Sequence, residues 1–196
     1  MPIDRQISPI TIFSPIRRWW GWWLWASWLI ADRSALVKAG VLRLGFIHVA
    51  HWALVTQRPA SAPDRPRVRL SPPYVLFQSN YDGGAAEYAE TFALEVPWHI
   101  RLMWGGAYDF PGPHPPSEFV DYVIRQAVSA PQHYYSAYPT GTVRSVRAAL
   151  NLEPGFRELD KQAEHMNEVQ FAAAWQRFLT REQRNLCGGA ASTARG

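Results

Sequence analysis

The sequence predicts an α+β fold built on one mainly antiparallel sheet of four strands. Between residues 46 and 152, segments rich in β-branched and aromatic residues alternate with segments of helical periodicity. Glycines and prolines separate these segments rather than forming a low-complexity tract. The 196 residues, 47% of them hydrophobic, are enough for one domain of ordinary size with terminal extensions.

Four segments have the composition of strands. "FIHVAHWALVT" is the first, and the proline- and arginine-rich stretch at 57–73 that follows it is expected to be a connection, because proline is excluded from central strands. "YVLFQSN" is the second, and it ends at "YDGG", whose glycines suit a turn. We expect strands at 46–56, 74–80, 99–105 and 133–138.

Helical periodicity fills most of the intervals between these strands, and Ser117 is expected to cap one of the helices. We expect helices at 33–45, 84–97, 118–130 and 142–152, and a longer one near the C-terminus at 167–186. The order ββαβαβα is close to that of a ferredoxin-like α+β sandwich, although the first two strands are joined directly. The expected organisation is a Trp-rich N-terminal segment at 1–45, a ferredoxin-like domain at 46–160, a C-terminal helix at 161–186 and a flexible tail at 187–196.

The N-terminal segment contains a tryptophan block, residues 19–28, in which six of ten residues are tryptophan. The apolar run from Trp19 to Ala31 has thirteen residues, and as a helix it would reach about 20 Å against a hydrocarbon core of roughly 30 Å. It is therefore too short to span a bilayer. Tryptophan prefers the membrane interface, where an apolar ring meets a wet N–H group. We expect a shallow membrane contact; a purely protein interface and an internal core helix are the alternatives.

Positive charge is concentrated near the tryptophan block. Residues 1–69 carry ten Lys and Arg against three Asp and Glu, so the charge there is +7 within a total of +4. This pattern favours an anionic surface. Nucleic acid is not expected, since single-strand binders spread their aromatic residues along a basic groove. The expected membrane- or partner-binding residues are Arg17, Arg18, Trp19, Trp20, Trp22, Trp23, Trp25, Trp28 and Arg33.

Two further expectations concern attachment. The tryptophan block should lie outside the sheet domain, so that a chain lacking residues 1–31 should leave the membrane and remain folded. A single cysteine, Cys187, excludes an internal disulfide and indicates a reducing compartment. The expected location is the cytoplasmic side of the inner membrane, as a peripheral, monotopic protein.

Residues that could carry chemistry are few. We expect no catalytic residue and no metal site, and His48 and His51 are expected to face opposite sides of their strand. A nucleophile elbow, a phosphate loop and a dinucleotide fingerprint are missing from the sequence. The residues that could line a ligand pocket are His48, Asp82, His133, Tyr134 and Tyr138. Packing is the favoured interpretation for the aromatic ones, and a structural role is favoured for His48.

Several stretches, "GFIHVAHWALV", "YVLFQSNYDGG", "PQHYYSAYP" and "TVRSVRAALNL", resemble landmarks of a bacterial family of uncharacterised proteins with a ferredoxin-like domain of the dimeric α+β barrel type. The resemblance covers roughly residues 40–152. It implies that fold and leaves the activity open. A more distant resemblance to dye-decolourising peroxidases rests on Asp82 and Gly83, which match part of their haem-site motif, while Ser79 replaces its leading glycine.

Three classes of function follow. The first is a non-catalytic accessory subunit, held by its tryptophan block at a membrane surface and at integral membrane subunits of a complex, with respiratory or photosynthetic complexes as candidate hosts. The second is a small haem-dependent peroxidase-like oxidoreductase, in which Asp82 lies on the distal side of a haem and His133 or His48 is the axial ligand. The third is a homodimeric small-molecule binder. No cofactor is expected for the first class.

Overall fold

The α+β class is confirmed by the computed structural model, which describes residues 7–31, 33, 44–58, 60, 66–128, 134–139 and 141–190. Within these ranges the chain forms a three-stranded antiparallel sheet and seven helices. The chain divides into two compact units, residues 1–137 and 138–196. The sheet belongs to the first unit.

The strands of the first unit are β1 (Ile7–Pro15), β2 (Ile47–Arg58) and β3 (Val68–Asp82). Its helices are α1 (Arg18–Ala31), α2 (Ala85–Glu95), α3 (Pro97–Trp104) and α4 (Pro116–Gln126). The strand order is β1-β3-β2, so β3 is the central strand. β1 pairs with β3 residue for residue, from Ile7 opposite Asp82 to Pro15 opposite Tyr74.

One face of the sheet carries the core of the first unit. Alternate residues of β3 are buried, and their rings pack against the helices. Phe77 lies 5.3 Å from the Trp104 ring of α3 and 6.2 Å from the Phe92 ring of α2, and Tyr81 stacks on Tyr88 at 4.0 Å. Offset-stacked and edge-to-face pairs of this kind add to the free energy gained by burial.

The regular structure of the second unit, in its described residues, consists of α5 (Val143–Ala163), α6 (Glu168–Arg181) and α7 (Gln183–Ala190). The side chain of Thr142 accepts a hydrogen bond from the Ser145 backbone N–H and caps α5. Asn167 and Gln170 form a capping box at the start of α6. A small core of Leu159, Ala174 and Phe178 holds the unit together.

The expected strands at 46–56 and 74–80 are confirmed within β2 and β3. The expected strand at 99–105 is wrong, because this segment is α3, with Ile100 and Trp104 buried one turn apart. Pro97 is the first residue of this helix, a position where a backbone N–H would have no partner within the helix. It does not end the helix expected at 84–97. The expected strand at 133–138 is wrong for residues 134–138, which have no regular structure, while His133 lies outside the described residues.

Ferredoxin-like topology with four strands is therefore not shown. The third strand of the sheet is instead β1, which the sequence does not predict because Pro9 and Pro15 interrupt its alternation. An edge strand tolerates proline, since one side of its backbone is unpaired. Ile10, Ile12 and Ser14 of β1 are nevertheless buried.

The stretch at 57–73 is also not a simple connection, because Val68 to Pro73 belong to the central strand. Val55 pairs with Tyr74 and Gln57 pairs with Arg69, so four residues of β3 stand opposite one residue of β2. Pro72 and Pro73 lie in this irregular part of the ladder, where fewer backbone N–H groups are needed for pairing. Most of the expected helix at 33–45 lies outside the described residues.

Candidate functional site

The start of α1 is held between the sheet and the end of α3. The backbone N–H of Ile16 donates to Pro73 O at 2.9 Å, and the N–H of Arg17 donates to Gly106 O at 2.9 Å. Ile16 itself is fully buried. The tryptophan block thus emerges directly from the sheet, and its orientation is set by hydrogen bonds on both sides.

One face of α1 packs on the domain. Leu24 is fully buried, Gly21 lies against Leu54 of β2, and Trp20 fills the space beside Gly106. Near the end of the helix, the indole N–H of Trp28 reaches Met103 Sδ of α3 at 3.4 Å. The expectation that the whole block lies outside the domain is therefore wrong for this face.

The opposite face of α1 is exposed and consists of apolar side chains. We call Trp19, Trp22, Trp23, Trp25 and Leu29 the indole face; the four tryptophans are exposed to 63%, 77%, 53% and 56%. At 100° per residue these five positions cover an arc of roughly 160°. No charged residue occurs between Trp19 and Ala31. One domain face cannot cover indoles that point in so many directions, so most of the block remains uncovered.

Helix α3 extends the apolar surface. Trp98 is 71% exposed, and it lines an open cleft of about 730 Å³ between α1 and α3. The cleft is lined by Trp19, Trp20, Trp22, Trp23, Ala26, Trp98, Arg101 and Leu102. Exposed apolar patches of this extent commonly mark interaction sites with proteins or membranes. Trp98 and Arg101 are not among the residues that the sequence predicts for the site. Their segment has the composition of a strand, so the sequence does not indicate that they lie on a helix beside α1.

Arginines border the indole face at both ends of α1. Arg18 is exposed at its start, and the Arg17 guanidinium lies 5.4 Å from the centre of the Tyr108 ring. At the other end, Arg33 Nη1 donates to Leu29 O at 2.8 Å. Arg101 of α3 is exposed beside the cleft. The structure thus gathers the expected arginines around the exposed tryptophans, with Trp20 and Trp28 turned toward the domain.

Among the described helices, none has both the length and the apolar character needed to cross a membrane.

The expected pocket residues are only partly brought together. His48 Nε2 and Asp82 Oδ1 are 2.7 Å apart, and both side chains are largely buried. Ile47 pairs with Tyr81 and Val49 with Asn80, so His48 is the extra residue of a β-bulge that aims it at Asp82. The expected separation of His48 from His51 depends on side chains that alternate strictly between the two faces of the sheet. The bulge interrupts this alternation.

This pair does not fit the haem arrangement in which His48 is the axial ligand and Asp82 lies on the distal side. Those two groups would have to stand on opposite faces of the porphyrin, whereas here their side chains touch. His133 lies outside the described residues. Tyr134 is half-buried in the first unit, and Tyr138 is exposed in the second. Within the described ranges, no group of three or more His, Cys, Asp or Glu is placed to hold a metal ion.

A buried polar cluster lies in the core of the first unit. Ser14 Oγ accepts hydrogen bonds from Trp104 Nε1 at 3.2 Å and from the Tyr122 hydroxyl at 2.9 Å. Burial raises the pKa of Tyr122 to about 12, and the hydrogen bond to Ser14 offsets part of that rise. All three side chains are almost fully buried, so the cluster joins β1 to α3 and α4 rather than forming a reactive site.

Comparison of the chain with protein-family models, with curated proteins and with solved structures gives no match. The observations that bear on function are therefore the chemistry and exposure of the chain's own surfaces.

Proposed function

We propose that this protein attaches peripherally to a membrane through the indole face, with α1 lying in the lipid–water interface. The observation that carries the proposal is a continuous surface of exposed tryptophans with arginines at its borders. Indoles are favoured at the depth of the headgroups, and long arginine side chains can reach the phosphates there. A short helix that is fixed to its domain by one face and apolar on the other suits a monotopic contact.

The apolar surface is large enough for attachment. At 150–250 Å² per aromatic side chain, the exposed parts of the four tryptophans and Trp98 amount to roughly 600 Å². At about 25 cal/mol per Å², removing this area from water is worth about 15 kcal/mol. Association costs of several kcal/mol reduce this figure, and the surplus still favours binding.

The role that we propose for the attached protein is that of an accessory subunit at the cytoplasmic side of a membrane complex, respiratory or photosynthetic in kind. The basic N-terminal third supports this side, because anionic lipid headgroups attract it. The second unit has exposed apolar residues one helical turn apart, Val146 and Leu150, which can contact a protein neighbour.

Vesicle flotation of the full chain tests attachment. Wild-type protein should float with phosphatidylcholine vesicles that contain phosphatidylglycerol. The variant Trp19→Gln/Trp23→Gln/Trp98→Gln should bind at least tenfold more weakly, because it loses three exposed indoles and keeps the packed ones. Tyr135→Gln/Tyr138→Gln is the matched control, since it removes exposed aromatic residues outside α1 and α3.

Equal flotation of the triple variant and the control would contradict the proposal. A soluble wild-type dimer that becomes monomeric in the triple variant, without any flotation, would instead identify the indole face as a protein interface. Melting temperatures should be unchanged in both variants, because all five replaced side chains are more than half exposed.

A further inference from the structure

A second concave surface lies on the side of α1 opposite the cleft. This groove has a volume of about 330 Å³ and lies between α1, the end of β2 and the irregular part of β3. It is lined by Arg18, Gly21, Trp22, Trp25, Leu54, Thr56, Arg69, Leu70 and Pro73. We call it the arginine groove.

The backbone explains why the groove exists. Four residues of β3 stand opposite Thr56 alone, so β3 bows away from β2 at this point. Gly21 forms part of the groove wall and has no side chain to fill it; a Cβ there would lie 3.6 Å from Leu54 Cδ2. The bow and the glycine together leave space beside α1.

The charges of the groove are all of one sign. Arg18 and Arg69 contribute two exposed guanidinium groups, and no Asp or Glu lines the groove. In the part of the chain that the structure describes, neither arginine forms an ion pair. Thr56 adds a hydroxyl that can donate a hydrogen bond. Two planar guanidinium groups and a hydroxyl match the oxygen atoms of a phosphate.

The groove also shares residues with the indole face. Trp22 and Trp25 belong to both, so the groove opens beside the surface that would enter the interface. Its volume is at the lower end for small-molecule sites, which suits a headgroup rather than a whole lipid. We infer that the arginine groove binds the phosphate of an anionic phospholipid headgroup, with Arg18 and Arg69 as its ligands. This inference rests on the proposed membrane attachment.

The experiment compares binding of the full chain to two kinds of vesicle, phosphatidylcholine alone and phosphatidylcholine with phosphatidylglycerol. The test variant is Arg18→Lys/Arg69→Lys, which keeps the net charge and loses the planar fork. Its matched control is Arg125→Lys/Arg144→Lys, at exposed arginines that border neither the indole face nor the groove. General attraction to an anionic surface is the same in all three proteins.

We expect the test variant to bind the phosphatidylglycerol vesicles about tenfold more weakly than wild type, and the control to bind within twofold of it. Binding to phosphatidylcholine alone should be equal in all three, because the two arginines repel the choline cation attached to that lipid's phosphate. Equal binding of test variant and wild type to the anionic vesicles would overturn the inference and leave attachment intact. Wild-type protein that binds neither vesicle would instead refute the attachment itself.

Soluble phosphate provides the last arm. Glycerol phosphate at millimolar concentration should leave vesicle binding nearly unchanged, because the indole face holds the lipid phosphate at high local concentration. If wild-type protein binds glycerol phosphate tightly but shows no preference for anionic vesicles, the groove binds a soluble phosphate and the inference of a lipid headgroup is wrong.

Discussion

Replacing Gly106 with alanine is expected to destabilise the protein by pushing α1 away from the domain. A Cβ at position 106 would overlap Trp20 at Cβ and Cγ, well inside van der Waals contact. These atoms are the root of the indole side chain, so no change of rotamer clears them and the helix backbone must move. The hydrogen bond from Arg17 N to Gly106 O, 2.9 Å long, resists that movement.

The cost can be estimated from the packing of this contact. Forcing extra volume into a well-packed site costs typically 1–3 kcal/mol, and the upper half of that range is expected here because the obstacle is close to the backbone. Gly21→Ala is the matched substitution, at a glycine of α1 on the same face that packs on the domain. Its Cβ would meet Leu54 at an ordinary 3.6 Å, and alanine is favoured over glycine inside a helix by roughly 0.5–1 kcal/mol.

Urea unfolding followed by far-ultraviolet circular dichroism measures both changes. The expected order of midpoints is Gly21→Ala above wild type and Gly106→Ala clearly below it, with similar slopes. In a thermal melt, each kcal/mol should appear as roughly 2–4 °C. If Gly106→Ala unfolds at the wild-type midpoint, Trp20 is not packed against position 106, and α1 does not contact the domain in the way described.

Three other outcomes are expected. Ser14→Ala should lower the free energy of unfolding by about 1–3 kcal/mol, because it leaves the Trp104 and Tyr122 donors without their acceptor. Tyr122→Phe should destabilise the Ser14→Ala variant less than it destabilises wild type. If urea titrations show that the two effects simply add, the two side chains do not share this contact. Burial raises the pKa of Tyr122 from 10.0 to about 12, so its contribution to the free energy of unfolding is complete below pH 10 and is lost as the pH rises toward 12, by roughly 2–3 kcal/mol. Burial raises the pKa of Tyr81 in the same direction. Unfolding titrations at pH 9 to 12 that show no decline in stability would refute this. Deleting residues 1–31 should abolish cooperative melting, because the deletion removes β1 and the buried Leu24. This outcome is contrary to the sequence-based expectation that the remaining chain stays folded. A fragment that still melts cooperatively would show that the edge strand is dispensable.

Local patterns identified the elements whose signals are local. The β-branched composition of 46–56, the turn after Asp82 and the helices that begin near 142 and 167 correspond to structure found where the sequence indicates it. The cap expected at Ser117 is wrong, because α4 begins at Pro116 and Ser117 lies inside it. In contrast, Pro97 could end one helix or begin the next, and only packing decides between these. Because Ile100 and Trp104 fit the core one turn apart, this segment is a helix rather than the third strand.

The sequence by itself determined that the tryptophan block would expose indole. Six tryptophans in ten residues point in all directions from a helix, and a single contact with a domain can cover only some of them. Which ones are covered was decided by tertiary structure, since Trp20 and Trp28 turn inward only because Gly106 and Met103 lie beside α1. The arginine groove was decided in the same way: Arg18 and Arg69 are fifty-one positions apart in the sequence. Arg18 and Arg69 come to one site because β3 pairs with both β1 and β2. Residue types alone do not encode pairing between segments so far apart in the sequence.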